Sequence, residues 1–203
     1  MSSTAAAPSG PPSNPPRALK IVIAGGFGVG KTSIVGALSE VAPLRTEARM
    51  TSASIGIDDT SKVDQKTTTT VAMDFGRITI DPTLIMYLFG TPGQDRFGFM
   101  WDDLVNGAIG ALVLVDLRRI DDCYDAVDYF ENRSIPFVVA VNVFDPEVNY
   151  PEAVVRDALA ISDHVPIVSI DARDRESVKE VLIKLLDMLL IRSRQGRPAP
   201  TPA

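Results

Sequence analysis

The sequence predicts an α/β fold: a mostly parallel sheet of six strands, with the second strand antiparallel, flanked by helices. Three observations carry this. A β-branched apolar run, Ile21-Val22-Ile23-Ala24, leads into a glycine-rich loop. The stretch from Thr32 to Glu40 follows at once and carries Ile34, Val35 and Leu38 at helical spacing. Beyond it, strand-like and helix-like segments alternate, the pattern of a parallel sheet with helical crossovers.

In order, the expected strands are Leu19–Ala24, Thr69–Ile80, Thr83–Phe89, Ala111–Asp116, Phe137–Asn142 and Ile167–Ile170. The expected helices are Lys31–Glu40, Arg96–Asn106, Ile120–Asn132, Pro151–Ile161 and Glu176–Ile191. The last aligns Val178, Val181, Leu182, Leu185, Leu186 and Leu189 along one face. Asp81-Pro82 is a turn signal that makes the second and third strands a hairpin. The long connection from Arg45 to Thr69, rich in Thr, Ser, Asp and Gly, is predicted to be a functional or mobile loop. One domain is expected over residues 18–192, between a Pro/Ser/Ala-rich tail at 1–17 and a second tail at 193–203, both without fixed structure.

The segment Gly25-Gly26-Phe27-Gly28-Val29-Gly30-Lys31-Thr32 fits the phosphate-loop pattern G-x-x-x-x-G-K-[ST]. Between a strand and a helix, that pattern has the setting its chemistry needs. Glycines let backbone N–H groups close around a polyphosphate, and the helix opening through Ser33 points its positive end at the anion. Lys31 is placed for the β- and γ-phosphates, and the Thr32 hydroxyl for Mg²⁺. The loop implies a nucleoside triphosphate with magnesium; it does not choose the base.

Composition narrows the alternatives. The 203 residues, 45% of them apolar, suffice for one full core. A formal charge of −6 argues against a nucleic-acid binder. The single cysteine, Cys123, excludes an intramolecular disulfide and is expected to be a packing residue. The one histidine, His164, has no partner residues for a metal site. No apolar run has membrane-spanning length, and neither a secretory signal nor a lipidation motif is present, so a cytoplasmic protein is expected.

The phosphate loop and hairpin are followed by LFGTPGQDRF (Leu88–Phe97), VNVFD (Val141–Asp145) and SIDARD (Ser169–Asp174). In that order these segments resemble the nucleotide-contact stations of Ras-like small GTPases, over about residues 18–191. The chain is most similar to the bacterial branch containing the gliding-motility GTPase MglA, and within it to the actinobacterial conservon-type GTP-binding proteins, in which TTTTVAMDFG and FGTPGQ are recognisable. The resemblance implies a Ras-like G domain binding GTP and GDP with Mg²⁺. It assigns guanine recognition to Asn142 and Asp145, with Asn142 also bracing the phosphate loop, and to the loop holding Ala172 and Arg173. An Asp carboxylate accepts from guanine's ring N–H and exocyclic amine, a donor pair adenine lacks. The resemblance further places Thr70 at Mg²⁺, with Thr69 as the alternative in a run of four threonines, Gly93 at the γ-phosphate, and Gln94 beside the attacking water, with Lys31 assisting catalysis.

Four departures qualify that resemblance. Gly90 stands where the family has an Asp that helps hold magnesium, and no local carboxylate is evident in its place, which predicts weak metal dependence. Val143 replaces the Lys that normally covers the base. Phe27 occupies a position where glycine leaves room beside the γ-phosphate, and no arginine lies between Arg49 and Arg77; Arg96 is the nearest substitute. Slow hydrolysis is therefore expected.

The leading expectation is a molecular switch in bacterial signalling. The resemblance implies a Roadblock-fold partner similar to MglB and a sensor-kinase-like membrane protein, hence recruitment to the inner membrane face through partners. The alternatives are a non-hydrolysing nucleotide-binding scaffold and an ATP-using phosphotransferase.

Overall fold

The computed structural model describes residues 15–42, 44–50, 69–93, 100–145 and 150–196. The elements are β1 (Arg17–Ala24), α1 (Lys31–Leu38), β2 (Leu44–Met50), β3 (Thr69–Asp81), β4 (Leu84–Gly90), α2 (Trp101–Val105), β5 (Gly110–Val115), α3 (Tyr124–Asn132), β6 (Phe137–Asn142), α4 (Glu152–Leu159), β7 (Ile167–Ile170) and α5 (Arg175–Arg194). A 3₁₀ segment, Leu117–Cys123, joins β5 to α3.

The α/β class stands, but the sheet has seven strands rather than six, in the order β2-β3-β4-β1-β5-β6-β7. The additional strand, β2, comes from the start of the segment expected to be a loop. It pairs antiparallel with β3, from Leu44 opposite Phe75 to Met50 opposite Thr69. The physical reason is legible afterwards: Leu44, Thr46, Ala48 and Met50 alternate with Arg45, Glu47 and Arg49, the period-two pattern of an edge strand. The β3–β4 hairpin is antiparallel, and its turn is held by Asp81, whose Oδ1 accepts from the Thr83 N–H and hydroxyl, each at 2.7 Å. All other pairings are parallel.

Alternation along β1 divides the core. Val22 and Ala24 face a cluster with Phe130, Val155 and Leu159 from α3 and α4. Ile21 and Ile23 face the other layer, against Ile34 and Val35 of α1 and Val178, Val181 and Leu185 of α5. Both layers are fully buried, and β5 and β6 are buried along their whole length, so helices cover both faces of the sheet centre. Helix α5 starts on an Asp174 cap that accepts from the N–H groups of Glu176 and Ser177, and it runs to Arg194, past the expected end at Ile191.

Chain direction reverses at β1. The sheet grows to one side through β4, β3 and β2, and to the other through β5, β6 and β7. Loops leaving the carboxyl ends of β1 and its neighbours therefore line a crevice, the usual ligand position in open α/β sheets.

Candidate functional site

The phosphate loop leaves β1 as three glycines at positive φ: Gly25 (132°), Gly28 (73°) and Gly30 (111°). Space is as restrictive as torsion. A Cβ on Gly25 would lie 2.4 Å from the Leu114 carbonyl oxygen, and one on Gly30 2.7 Å from Asn142 Nδ2. Val29 is buried and pins the loop to the core, while Phe27 is 65% exposed. Helix α1 then begins at Lys31, with Thr32 and Ser33 in its first turn.

Lys31 is buried, and its ammonium donates to the carbonyls of Gly25 at 2.7 Å and Gly26 at 2.6 Å. Burial pushes its pKa down to about 8, against an upward pull from the Asp74 carboxylate. Gly93 closes over the same group: a Cβ there would lie 2.5 Å from Lys31 Nζ and 2.9 Å from both the Gly26 carbonyl oxygen and Phe27 Cα. Only a glycine backbone fits between the loop and the end of β4. The Thr91 N–H donates to the Ile23 carbonyl at 2.8 Å, which fixes this approach.

Asn142, at the end of β6, is buried and joins two loops. Its Nδ2 donates to the Val29 carbonyl at 2.9 Å, and its Oδ1 accepts from the Ala172 N–H at 3.0 Å. One amide thus sets the spacing between the phosphate loop and the loop after β7. Arg173 is exposed and turns back on Asp171, with Nε to Oδ1 at 2.9 Å and Nη2 to Oδ2 at 2.8 Å. Those bonds hold the Asp171 carboxyl down at about 2. Asp145 stands beyond Val143 and Phe144 on the loop after β6.

The expectation that no carboxylate replaces the one missing at Gly90 is corrected. Asp74 on β3 faces Gly90 on β4 in register. Its Oδ2 accepts from the Thr32 hydroxyl at 2.5 Å. A Cβ on Gly90 would meet Asp74 Cβ at 3.1 Å and Oδ2 at 3.4 Å, so the carboxylate lies in the space a side chain at 90 would use. The signal in the sequence was a lone acid in the apolar run TVAMDF. An alcohol and a carboxylate sharing one point offer hard oxygen donors, the set that suits Mg²⁺. Among the described residues no group of three or more His, Cys, Asp or Glu is arranged for a metal, so any ion here would also need phosphate oxygens and water.

Thr69 and Thr70 open β3, with Thr70 opposite Arg49; only their backbone is described. Gln94 and Arg96 lie outside the described residues, as does most of the segment from Arg45 to Thr69. Sequence reasoning also passed over the turn after β5. There Asp116, 4% exposed, accepts from three nitrogens of Arg118: the backbone N–H at 3.0 Å, Nε at 2.9 Å and Nη2 at 2.7 Å. The Arg118 bonds keep the Asp116 carboxyl below the usual carboxylate range.

A cavity of about 310 Å³ beside the loop is lined by Gly25, Gly26, Gly93, Trp101 and the acidic residues Asp122, Asp125 and Asp128, among others. Three acids repel a polyphosphate, so the side of the loop suited to an anion is the one that carries Lys31 and Thr32. No helix among the described residues is long and apolar enough to cross a membrane.

A model of the family described as "Conserved hypothetical ATP binding protein" matches residues 23–191. The uncharacterized protein MJ1339 of Methanocaldococcus jannaschii is 32% identical over 129 residues, 63% of this chain and 71% of that relative. Among solved structures, the cytosolic domain of the T. maritima FeoB iron transporter in GDP form I superposes with a TM-score of 0.60 at 15% identity, covering 87% of this chain and 65% of that one. The same domain in its GMPPNP form gives 0.58 at 16%, covering 83% and 63%. The chain therefore spans less than two thirds of each FeoB chain, and at this identity the likeness establishes a shared fold and no more.

Proposed function

For a chain that belongs to the family of conserved hypothetical ATP binding proteins, we propose a guanine-nucleotide-dependent switch with slow intrinsic GTP hydrolysis. The observation that carries this reading is the Asn142 amide, which ties Val29 of the phosphate loop to Ala172 of the loop after β7. One buried side chain makes phosphate and base recognition parts of a single site. Asp145, on the loop that follows Asn142, supplies the acceptor for guanine's N1–H and exocyclic amine.

Lys31, Gly93 and the backbone of residues 25–30 neutralise and orient the phosphates. Thr32 and Asp74 would hold Mg²⁺, with Thr70 as the third protein group, and the ion would neutralise charge between the β- and γ-phosphates. Gln94 orients the attacking water. The Gly93 N–H meets the γ-phosphate only in the triphosphate state, which gives the segment after β4 two arrangements. Phe27 beside the γ-phosphate limits turnover. The resemblance to MglA and the conservon-type proteins supports a signalling role with a Roadblock-fold partner, a sensor-kinase-like membrane protein, and recruitment to the inner membrane face through them.

The family's description favours one rival, an adenine-nucleotide protein. Equilibrium competition of GDP, GTP, ADP and ATP against a fluorescent GDP, with Mg²⁺ present, separates the two. Guanine nucleotides are expected to win by more than about 100-fold, since buried polar matches at a base edge discriminate strongly. Equal competition by ADP would defeat the guanine reading. Single-turnover hydrolysis of GTP should stay well below about 10⁻² s⁻¹, the rate of relatives with their own arginine.

A further inference from the structure

The turn between β5 and α3 touches both ends of the site. Asp116 is buried at the carboxyl end of β5 and caps the 3₁₀ segment. Arg118 and Arg119 leave it in different directions, because Arg119 (φ −145°, ψ 57°) breaks the helical course between them and the following turn.

Arg118 turns toward the base end. Two of its guanidinium nitrogens bind Asp116, and its Cζ lies 4.2 Å from the centroid of Phe144. Phe144 is the residue immediately before Asp145. The Asp116 bonds, and more weakly the Asp145 charge, favour the charged guanidinium. A cation held by a bidentate carboxylate has little freedom, so the Phe144 ring rests on an anchored guanidinium one residue before Asp145.

Arg119 turns toward the phosphate end. Its Nη2 donates to the Phe27 carbonyl at 2.7 Å, and a Cβ on Gly28 would lie 3.9 Å from the same nitrogen. Its Nη1 pairs with Asp122 at 3.4 Å, and Asp122 packs so closely on Gly26 that a Cβ there would lie 2.5 Å from Asp122 Cβ. Asp116 Oδ2 lies 4.0 Å from Arg119 Nε, so both arginines share one buried anchor.

We propose that Asp116, Arg118 and Arg119 form a two-armed positioning device, in which Arg118 sets the orientation of the base-reading Asp145 and Arg119 sets the Phe27–Gly28 part of the phosphate loop. The inference rests on the guanine-nucleotide reading above. Neither arginine is a catalytic residue; each acts through a neighbour.

The arms predict separable defects, measured by equilibrium binding of GDP, IDP and the non-hydrolysable analogue GMPPNP to the whole chain. IDP lacks the exocyclic amine that donates to Asp145, so the GDP-to-IDP affinity ratio reports the aim of that carboxylate. Arg118→Ala should cut this ratio about ten-fold, the worth of one charge-assisted hydrogen bond, with IDP, which keeps the N1–H donor, losing less affinity than GDP and the GMPPNP-to-GDP ratio unchanged. Arg119→Ala should leave the ratio alone and cut the GMPPNP-to-GDP ratio by about ten-fold. Arg118→Lys and Arg119→Lys, which keep the charge, should fall between. A generally loosened domain would weaken all three ligands together; equal losses in both alanine variants, or unchanged ratios, overturn the device. A wild-type protein that takes up neither GDP nor IDP overturns the nucleotide reading itself, and this inference falls with it.

Discussion

Asp74 and Gly90 face one another across the β3–β4 pair, and the Asp74 carboxylate fills the space a side chain on Gly90 would need. The same carboxylate accepts from the Thr32 hydroxyl of the phosphate loop. If Asp74 serves the proposed magnesium site, the metal dependence is strong rather than the weak one expected from Gly90 alone. EDTA should accelerate GDP release from the wild-type protein strongly. In Asp74→Ala, release should be fast from the start and EDTA should change it by less than about two-fold, since the hydrogen-bonded carboxylate is gone. Stopped-flow release of a fluorescent GDP measures both; identical EDTA responses in the two proteins would remove Asp74 from the metal.

Gly93 has no room for a methyl group, with Lys31 Nζ at 2.5 Å and two backbone atoms of the phosphate loop at 2.9 Å from an added Cβ. Lys31 can move its tip, but the backbone cannot. Gly93→Ala is expected to lower stability by about 1–3 kcal/mol, as overpacking does. Its GTP affinity should fall more than its GDP affinity. Urea unfolding together with nucleotide titration tests this, and a variant with unchanged stability and an unchanged GTP-to-GDP ratio would count against the close approach.

Asn142→Ala removes both bonds of a buried amide and leaves the Ala172 N–H and the Val29 carbonyl without that partner. A cost of about 2–4 kcal/mol in stability is expected from two lost hydrogen bonds and their desolvated remnants. Nucleotide affinity should drop at least about ten-fold, because the two loops lose their common spacer. A variant that keeps wild-type affinity would show that the loops hold their spacing independently.

Cys123 is buried, its thiol donates to the Ile120 carbonyl at 2.9 Å, and burial raises its pKa from 9.0 to about 12. The native state thus keeps the thiol proton where the unfolded chain loses it. Stability from this group is complete below pH 9 and declines as pH rises from 9 toward 12. At pH 8 the native protein should react with iodoacetamide at least about 100-fold more slowly than the urea-unfolded protein. Comparable rates would mean that the thiol opens to solvent.

The sheet centre was legible because burial on both faces leaves no ambiguity: IVIA, ALVLV and FVVAVN contain almost nothing polar. The glycine loop was legible for a different reason, since positive φ and a 2.4 Å approach at Gly25 leave little choice of residue. The β2 strand was hidden by composition, because charges at every second position look like a loop until the alternation is counted. Asp74 was hidden by register. It is sixteen residues from Gly90 in sequence (90 minus 74), and only the antiparallel pairing sets them side by side. Asp116, Arg118 and Arg119 were hidden by fold, since their partners Phe144 and Phe27 lie on two separate loops.

The central claim is that Asp145 reads guanine in the site that Asn142 ties together, and the most direct test exchanges the base-edge pattern. Wild-type protein should bind GDP far more tightly than XDP. Asp145→Asn should reverse that order, because an amide offers a donor where xanthine presents an oxygen. A variant whose GDP-to-XDP preference equals that of the wild-type protein would contradict the account.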